Sequence, residues 1–177
     1  MIRNIYYLIV VFLFLVVFSF GIKADSISLD YIAGEGDVKG LKLAYQFYER
    51  HLSNMLPGLR FNLESSVNFW EYGAENVHDS NLVLAVSPIF KKTICYCKKG
   101  RIYGEFGIGI SFIDDTLFAG KNISTHYQFE DRIGIGYEFG KNYRYKIALR
   151  YFHYSNGGIK KPNPGLDFLS LSFLYKI

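Results

Sequence analysis

The chain of 177 residues is poor in several residue types, and each shortage excludes a class of protein. Two cysteines are too few for a domain held together by disulfides, and four prolines are too few for a collagen-like or proline-rich disordered chain. Only one long apolar run is present, whereas a helical membrane protein with several spans needs a run of about 20 apolar residues for each. One domain of ordinary size remains, with half of its residues hydrophobic.

The single apolar run extends from Ile5 to Ile22 and follows a basic N-terminus. A basic start, an apolar stretch and small residues near its end are typical of a secretory signal peptide. We predict a signal peptide over residues 1–24, cleaved after Gly21 or Ala24, and one domain over 25–177. An uncleaved anchor helix is the alternative, because the run is long enough to span a bilayer of about 30 Å.

Charge and cysteine content give no sign of a nucleic-acid partner or a metal. The net charge is +4, and it falls to +2 when the basic residues of the signal peptide are removed, with no basic cluster. Cys95 and Cys97 form a Cys-Tyr-Cys sequence, in which a disulfide would be strained. Zinc usually needs four ligands, and no nearby His or Cys supplies the others. We therefore expect thiols or a local disulfide on a turn, without a catalytic part.

The abundant residues favour strands over helices. Seventeen glycines, fifteen tyrosines and sixteen phenylalanines suit strands and turns, and apolar and polar residues alternate between clusters of Gly, Asn and Asp. This alternation predicts eight strands, over residues 26–34, 39–49, 59–71, 81–91, 101–112, 124–139, 143–155 and 167–176.

Each predicted strand has one charged face and one apolar face. In the seventh strand Ile147 and Leu149 lie on the face opposite Lys146 and Arg150. The sixth strand repeats this pattern, except that Asp131 falls on its apolar side. If the charged faces line the inside of a barrel, we expect them to form ion pairs there, with Arg144, Lys146 and Arg150 as the cations and Glu105, Glu130 and Glu138 as the acids.

The alternation alone fits two architectures. In a soluble two-sheet sandwich or a lipocalin-like barrel, the apolar faces would point to an inner core. In a transmembrane barrel they would point to lipid. Strands of about 9–13 residues, tyrosines near strand ends and the signal peptide favour the transmembrane barrel. The predicted fold is all-β, an eight-stranded antiparallel transmembrane barrel of the bacterial outer membrane.

Three residues at one predicted hairpin have the chemistry of an esterase. His153 and Ser155 share the parity of Leu149, so both point to the apolar face. Side chains two residues apart on a strand are about 6.5–7 Å apart at the backbone, a gap that inclined side chains can close. Imidazole can then remove the serine proton. Asp167 has the outward parity of the eighth strand and can orient the imidazole, which completes a Ser-His-Asp arrangement.

The same hairpin resembles a known family, the lipid A 3-O-deacylases of the PagL type, which are acyloxyacyl hydrolases. The similarity covers roughly residues 101–177. It is carried by His153-Tyr154-Ser155-Asn156-Gly157-Gly158, Lys161-Pro162-Asn163-Pro164-Gly165, Ile123-Ser124-Thr125-His126-Tyr127-Gln128-Phe129-Glu130-Asp131 and Ile133-Gly134-Ile135-Gly136. The resemblance implies an outer-membrane barrel that hydrolyses an ester-linked (3-O) hydroxyacyl chain of lipid A, without a metal or cofactor.

The resemblance also implies roles for individual residues. Ser155 matches the nucleophile, His153 the base, and Asp167 stands where the best-known members have Glu. Three more residues match positions associated with the oxyanion and substrate, namely Asn156, Gly158 and Asn163. The implied partner is lipid A in the lipopolysaccharide of the outer leaflet, bound by a monomer or homodimer. The alternatives are a non-enzymatic structural or adhesive barrel and a soluble barrel that binds apolar ligands.

Overall fold

A computed structural model describes residues 24–73 and 80–177, so residues 1–23 of the predicted signal peptide lie outside the described residues. Eight strands form one closed antiparallel barrel, which confirms the predicted fold. They are β1 (Ala24–Gly34), β2 (Val38–His51), β3 (Leu59–Tyr72), β4 (Ser80–Cys97), β5 (Gly100–Ile113), β8 (Tyr127–Phe139), β9 (Tyr145–Ser155) and β10 (Leu166–Lys176). Between β5 and β8, the two-residue strands β6 (Leu117–Phe118) and β7 (Lys121–Asn122) pair with each other. No helix among the described residues is long and apolar enough to cross a membrane.

The barrel closes because β1 pairs with β10, from Ser26 opposite Lys176 to Gly34 opposite Phe168. Closure leaves no strand edge unpaired, as a membrane requires. Antiparallel order divides the connections between two ends. The site end carries the connections at 35–37, 114–126 and 156–165, and the far end carries those at 52–58, 98–99 and 140–144.

The two faces of the sheet have the environments that the alternation predicts for a transmembrane barrel. Ile147, Leu149 and Phe173 are exposed on the outside, with 44%, 61% and 49% of their surface accessible. Lys146 and Arg150, their neighbours in sequence, are buried inside. An apolar outside and a charged inside exclude a sandwich whose apolar faces meet in a core.

The buried charges neutralise one another inside the barrel. Arg150 contacts Asp30 at 2.8 Å and Glu105 at 2.5 Å, and all three side chains are fully buried. Lys42 contacts Glu130 at 3.0 Å in a second cluster that also contains Glu64 and Arg132. Buried charges are tolerated when paired, and eight strands leave an interior that side chains just fill. The interior is therefore a packed core of ion pairs.

The expected partners are confirmed for two of the three cations. Arg150 pairs with Glu105, and Lys146 lies 3.5 Å from Glu138. The prediction for Arg144 is wrong, because β9 begins at Tyr145 and leaves Arg144 exposed in the turn before it. There its guanidinium lies 5.9 Å from the centre of the Tyr175 ring.

The strand bounds differ from the prediction mainly in β4, which continues to Cys97 instead of ending at residue 91. A register shift between Thr93 and Cys95 lets β4 stay paired with β5 beyond the last pair that it makes with β3. Cys95 and Cys97 are both exposed thiols at the end of this strand.

An aromatic cluster fills the interior at the site end and fixes the strands that carry the predicted triad. The Trp70 ring centre lies 4.5 Å from that of Phe168 and 4.9 Å from that of Tyr154. Tyr154 is buried, and its hydroxyl donates to Glu130 Oε2 at 2.8 Å. Because Tyr154 lies between His153 and Ser155 in sequence and points inward, its anchorage holds those two residues outward.

Candidate active site

The β9–β10 hairpin brings His153 and Asp167 together. The register places Asp167 directly opposite His153. Nδ1 of His153 lies 2.7 Å from Oδ1 of Asp167, a hydrogen-bond distance, although aspartate has the shorter acidic side chain. Both side chains are half-buried on the outer face of the barrel. This contact fixes the imidazole orientation and leaves Nε2 available for a proton from a nucleophile.

Ser155 lies on the same outer face, two residues beyond His153 at the end of β9. It is half-buried, opposite Phe129 of β8. Among the described residues its hydroxyl makes no hydrogen bond, to His153 or to any other group. Hydrogen bonds between nucleophile and base are often long or poorly aligned before substrate binds. The lack of this bond is therefore compatible with a catalytic pair.

The loop 156–165 folds back over the imidazole because Gly165 has no side chain. Gly165 has φ +72°, in the left-handed region that favours glycine. A Cβ atom there would lie 2.6 Å from Cε1 of His153, well inside van der Waals contact. The backbone of Gly165 therefore forms one wall of the histidine site.

The three residues predicted for the oxyanion and substrate have different surroundings. Asn156 is fully buried, and its Nδ2 donates to the carbonyl oxygen of Lys160 at 2.9 Å. Its Oδ1 accepts from the backbone N–H of Gly158 at 2.9 Å, so both groups are engaged within the loop. Asn163 Oδ1 accepts from the backbone N–H of Asn156 at 3.1 Å, an arrangement that directs its amide nitrogen away from this bond. Of these donors, the amide of Asn163 is the one not engaged by another described residue.

Two residues beside the triad were not predicted to belong to the site from the sequence. Tyr151 donates from its hydroxyl to Oδ1 of Asp167 at 2.6 Å. Asp131 lies opposite His153 on β8, so His153 has an acidic residue paired with it on each neighbouring strand. Strand parity gives a signal for both, because Tyr151 and Asp131 have the outward parity of the triad.

The β5–β8 loop holds the loop after β9 in place, and no sequence pattern predicts this contact. Ser124 Oγ donates to the carbonyl oxygen of Pro162 at 2.5 Å. Lys121 Nζ donates to the carbonyl oxygen of Gly165 at 3.2 Å and lies 2.6 Å from Glu35 Oε2. Lys160 and Lys161 are exposed on the same loop.

Comparison with known proteins relates the sequence to one family. A family model described as lipid A 3-O-deacylase (PagL) matches residues 39–176. A lipid A deacylase PagL from Bordetella bronchiseptica is 47% identical over 76 residues, which are 43% of this chain and 42% of the relative. The enzyme of the same name from Pseudomonas aeruginosa is 33% identical over 117 residues, 64% of this chain and 62% of the relative. The aligned segments thus span less than two thirds of either curated relative.

A solved structure supports the fold independently. The crystal structure of the outer membrane enzyme PagL superposes with a TM-score of 0.70, covering 86% of this chain and 99% of that one. At 23% sequence identity, the superposition shows a shared barrel. The family model, by contrast, covers most of the chain, including the whole β9–β10 hairpin. The chain therefore belongs to the lipid A 3-O-deacylase (PagL) family.

Proposed function

We propose that this chain is an esterase of the bacterial outer membrane that removes an ester-linked (3-O) hydroxyacyl chain from lipid A. The observation that carries the proposal is the 2.7 Å contact between His153 and Asp167 beside Ser155, on an outer face made largely of aliphatic and aromatic side chains. Polar groups on a lipid-facing surface are destabilising, so a Ser-His-Asp set there indicates a functional role. Membership of the deacylase family supplies the substrate class.

In the proposed reaction Ser155 Oγ attacks the ester carbonyl carbon while His153 Nε2 takes its proton. Asp167 keeps the proton of His153 on Nδ1 and stabilises the imidazolium. The negative oxygen of the tetrahedral intermediate accepts from the amide of Asn163, the donor not engaged elsewhere in the loop. Collapse breaks the ester bond, and the sugar oxygen leaves with the proton from His153.

The second half of the reaction releases the acyl chain. His153 Nε2 removes a proton from water, and the resulting hydroxide attacks the acyl-Ser155 carbonyl. The bond to Ser155 Oγ then breaks, Ser155 regains its proton from His153, and a hydroxy fatty acid is released. Every step uses groups of this chain and water, so the proposed reaction needs no metal or cofactor.

The proposed substrate implies an orientation of the barrel in the membrane. His153 and Ser155 are at the site end of β9, on the outward face. Lipid A is in the outer leaflet, so we propose that the site end faces the exterior and the far end faces the periplasm. A lipid substrate can then reach Ser155 by diffusing within the membrane plane.

Mass spectrometry of lipid A from cells with and without the protein tests the proposal. We expect the wild-type chain to remove one hydroxyacyl group, and Ser155→Ala or His153→Ala to abolish this loss while the barrel still migrates as a heat-modifiable band. Because triad members act together, the double variant should be scarcely worse than either single one. Unchanged deacylation by folded Ser155→Ala would disprove the mechanism. No deacylation by the wild-type chain on several lipid A types would favour a non-enzymatic barrel.

A further inference from the structure

The acid of the triad has a second hydrogen-bond donor. Oδ1 of Asp167 accepts from the Tyr151 hydroxyl at 2.6 Å and lies 2.7 Å from His153 Nδ1, so one oxygen serves both groups. Tyr151 is opposite Leu169 in the register, and its phenol therefore reaches diagonally across the hairpin to Asp167. Tyrosines on the outside of such a barrel usually mark the membrane interface, but this one contacts the triad.

A short acid at a half-exposed position needs support to hold its carboxylate towards His153. The side chain of Asp167 is 29% exposed, so water competes for its oxygens, and Oδ2 has no partner among the described residues. A phenol that donates to Oδ1 restricts rotation of the carboxylate and so keeps Oδ1 directed at Nδ1 of His153. We infer that Tyr151 is a positioning residue that acts on His153 through Asp167. This inference rests on the proposed function.

Tyr151→Phe tests the inference because it removes only the hydroxyl. We expect kcat for lipid A deacylation to fall about tenfold with little change in KM, as for the loss of one hydrogen bond to a charged group. Tyr31→Phe is the matched control, since Tyr31 is 49% exposed on the outer face and its hydroxyl has no partner among the described residues.

The Asp167→Ala background separates action through Asp167 from a general effect on the barrel. There Tyr151→Phe should add no further loss, because the group that it orients is absent. An equal loss in both backgrounds, or an unchanged kcat in Tyr151→Phe, would overturn the inference. If the wild-type chain proves inactive, the proposed function fails, and nitrogen NMR still tests the contact. The Nδ1–H tautomer of His153 should then be less populated in Tyr151→Phe than in the wild-type protein, and an unchanged population would overturn the inference.

The far end presents a separate feature, a ring of unpaired cations. Five exposed basic residues lie in or beside its three connections, and none has an ion pair among the described residues: Arg50, Lys98, Lys99, Lys141 and Arg144. Two of them lie over tyrosine rings, Arg50 at 4.7 Å from the centre of Tyr48 and Arg144 at 5.9 Å from that of Tyr175. We call these five cations the basic rim.

The opposite end carries exposed residues of both signs among the described residues, with acids at Glu35, Asp37, Glu71 and Asp115 and lysines at Lys39, Lys160 and Lys161. If the site end faces lipid A, as the proposed function has it, the basic rim lies at the phospholipid leaflet. Lysine and arginine beside an anionic leaflet are attracted to its headgroups, and aromatic rings suit the same interface. We propose that the basic rim binds the phosphodiester headgroups of anionic phospholipids in the inner leaflet.

Thermal unfolding in nanodiscs tests the rim without any measurement of hydrolysis. At low salt the wild-type barrel should unfold several degrees higher in discs that contain phosphatidylglycerol than in phosphatidylcholine alone. Replacing all five rim cations by Gln should remove this difference, whereas replacing Lys39, Lys160 and Lys161 at the site end should retain it. An undiminished difference in the rim variant, or an equal loss in the site-end variant, would overturn the proposal. Neither result depends on whether the chain deacylates lipid A.

Discussion

Gly165 lies against His153 so closely that a Cβ atom on the glycine would be 2.6 Å from Cε1 of the imidazole. The two residues come from opposite sides of the hairpin, His153 from the end of β9 and Gly165 from the residue before β10. The conformation of the loop 156–165 and the orientation of the predicted base are therefore coupled. Contacts that hold this loop, such as that between Lys121 and Gly165, act on the same geometry.

Gly165→Ala should reduce deacylation by at least a hundredfold while leaving the barrel folded. The new methyl group must displace His153 from its place between Asp167 and Ser155, and a misplacement of about 1 Å can lower a rate by about a hundredfold. Lipid A mass spectrometry measures the activity, and heat-modifiable migration reports folding. Gly120→Ala is the matched control, since Gly120 also has positive φ, +69°, but among the described residues no heavy atom beyond its chain neighbours lies within 4 Å of an added Cβ. Equal activity in the two variants would contradict the steric argument.

Substitutions of Asp167 should change deacylation activity by different amounts without abolishing it. An acid that orients the base can be partly replaced by water, so Asp167→Ala should lower activity less than Ser155→Ala. Asp167→Glu should retain activity or raise it, because a longer acid can still reach Nδ1 of His153. Initial rates on purified lipid A in detergent give the comparison. Wild-type activity in Asp167→Ala would show that another group, such as Asp131 opposite His153, orients the base.

The parts of the fold that the sequence predicts are those set by strand parity. Alternation with a period of two assigns a face to every strand residue, so the outward positions of Leu149, His153 and Asp167 follow without coordinates. Contacts between distant loops leave no periodic pattern in the sequence. The bond from Ser124 to Pro162 and the bulge that lengthens β4 depend on tertiary packing and strand register. The burial of Asn156 follows from the same loop contacts, so its side chain could not be distinguished from that of Asn163 by sequence.

Replacing Asn163 or Asn156 by Ala should lower deacylation activity for different reasons. The amide of Asn163 is our proposed oxyanion donor, and losing such a donor typically lowers kcat by about 10²–10³. Asn156 holds the loop through Lys160 and Gly158, so its loss should loosen the loop as well as lower activity. Limited proteolysis distinguishes them, with faster cleavage within 156–165 expected for Asn156→Ala alone. Full activity in a folded Asn163→Ala protein would exclude it as the oxyanion donor.

Replacing two arginines of the same β-hairpin should change the free energy of unfolding by very different amounts, because only one of them belongs to the interior ion pairs. Arg150→Met removes the cation between Asp30 and Glu105 and leaves two buried carboxylates facing each other. Breaking a buried pair in this way typically costs about 3–5 kcal/mol of unfolding free energy. Arg144→Met, at an exposed turn, should change it by less than about 0.5 kcal/mol. Urea unfolding in lipid vesicles gives both values.

Since Arg150 lies on the inner face and the triad on the outer face, the Arg150→Met barrel that remains folded should still deacylate lipid A. A matching loss of activity per folded molecule would show that the interior charges also hold the triad geometry.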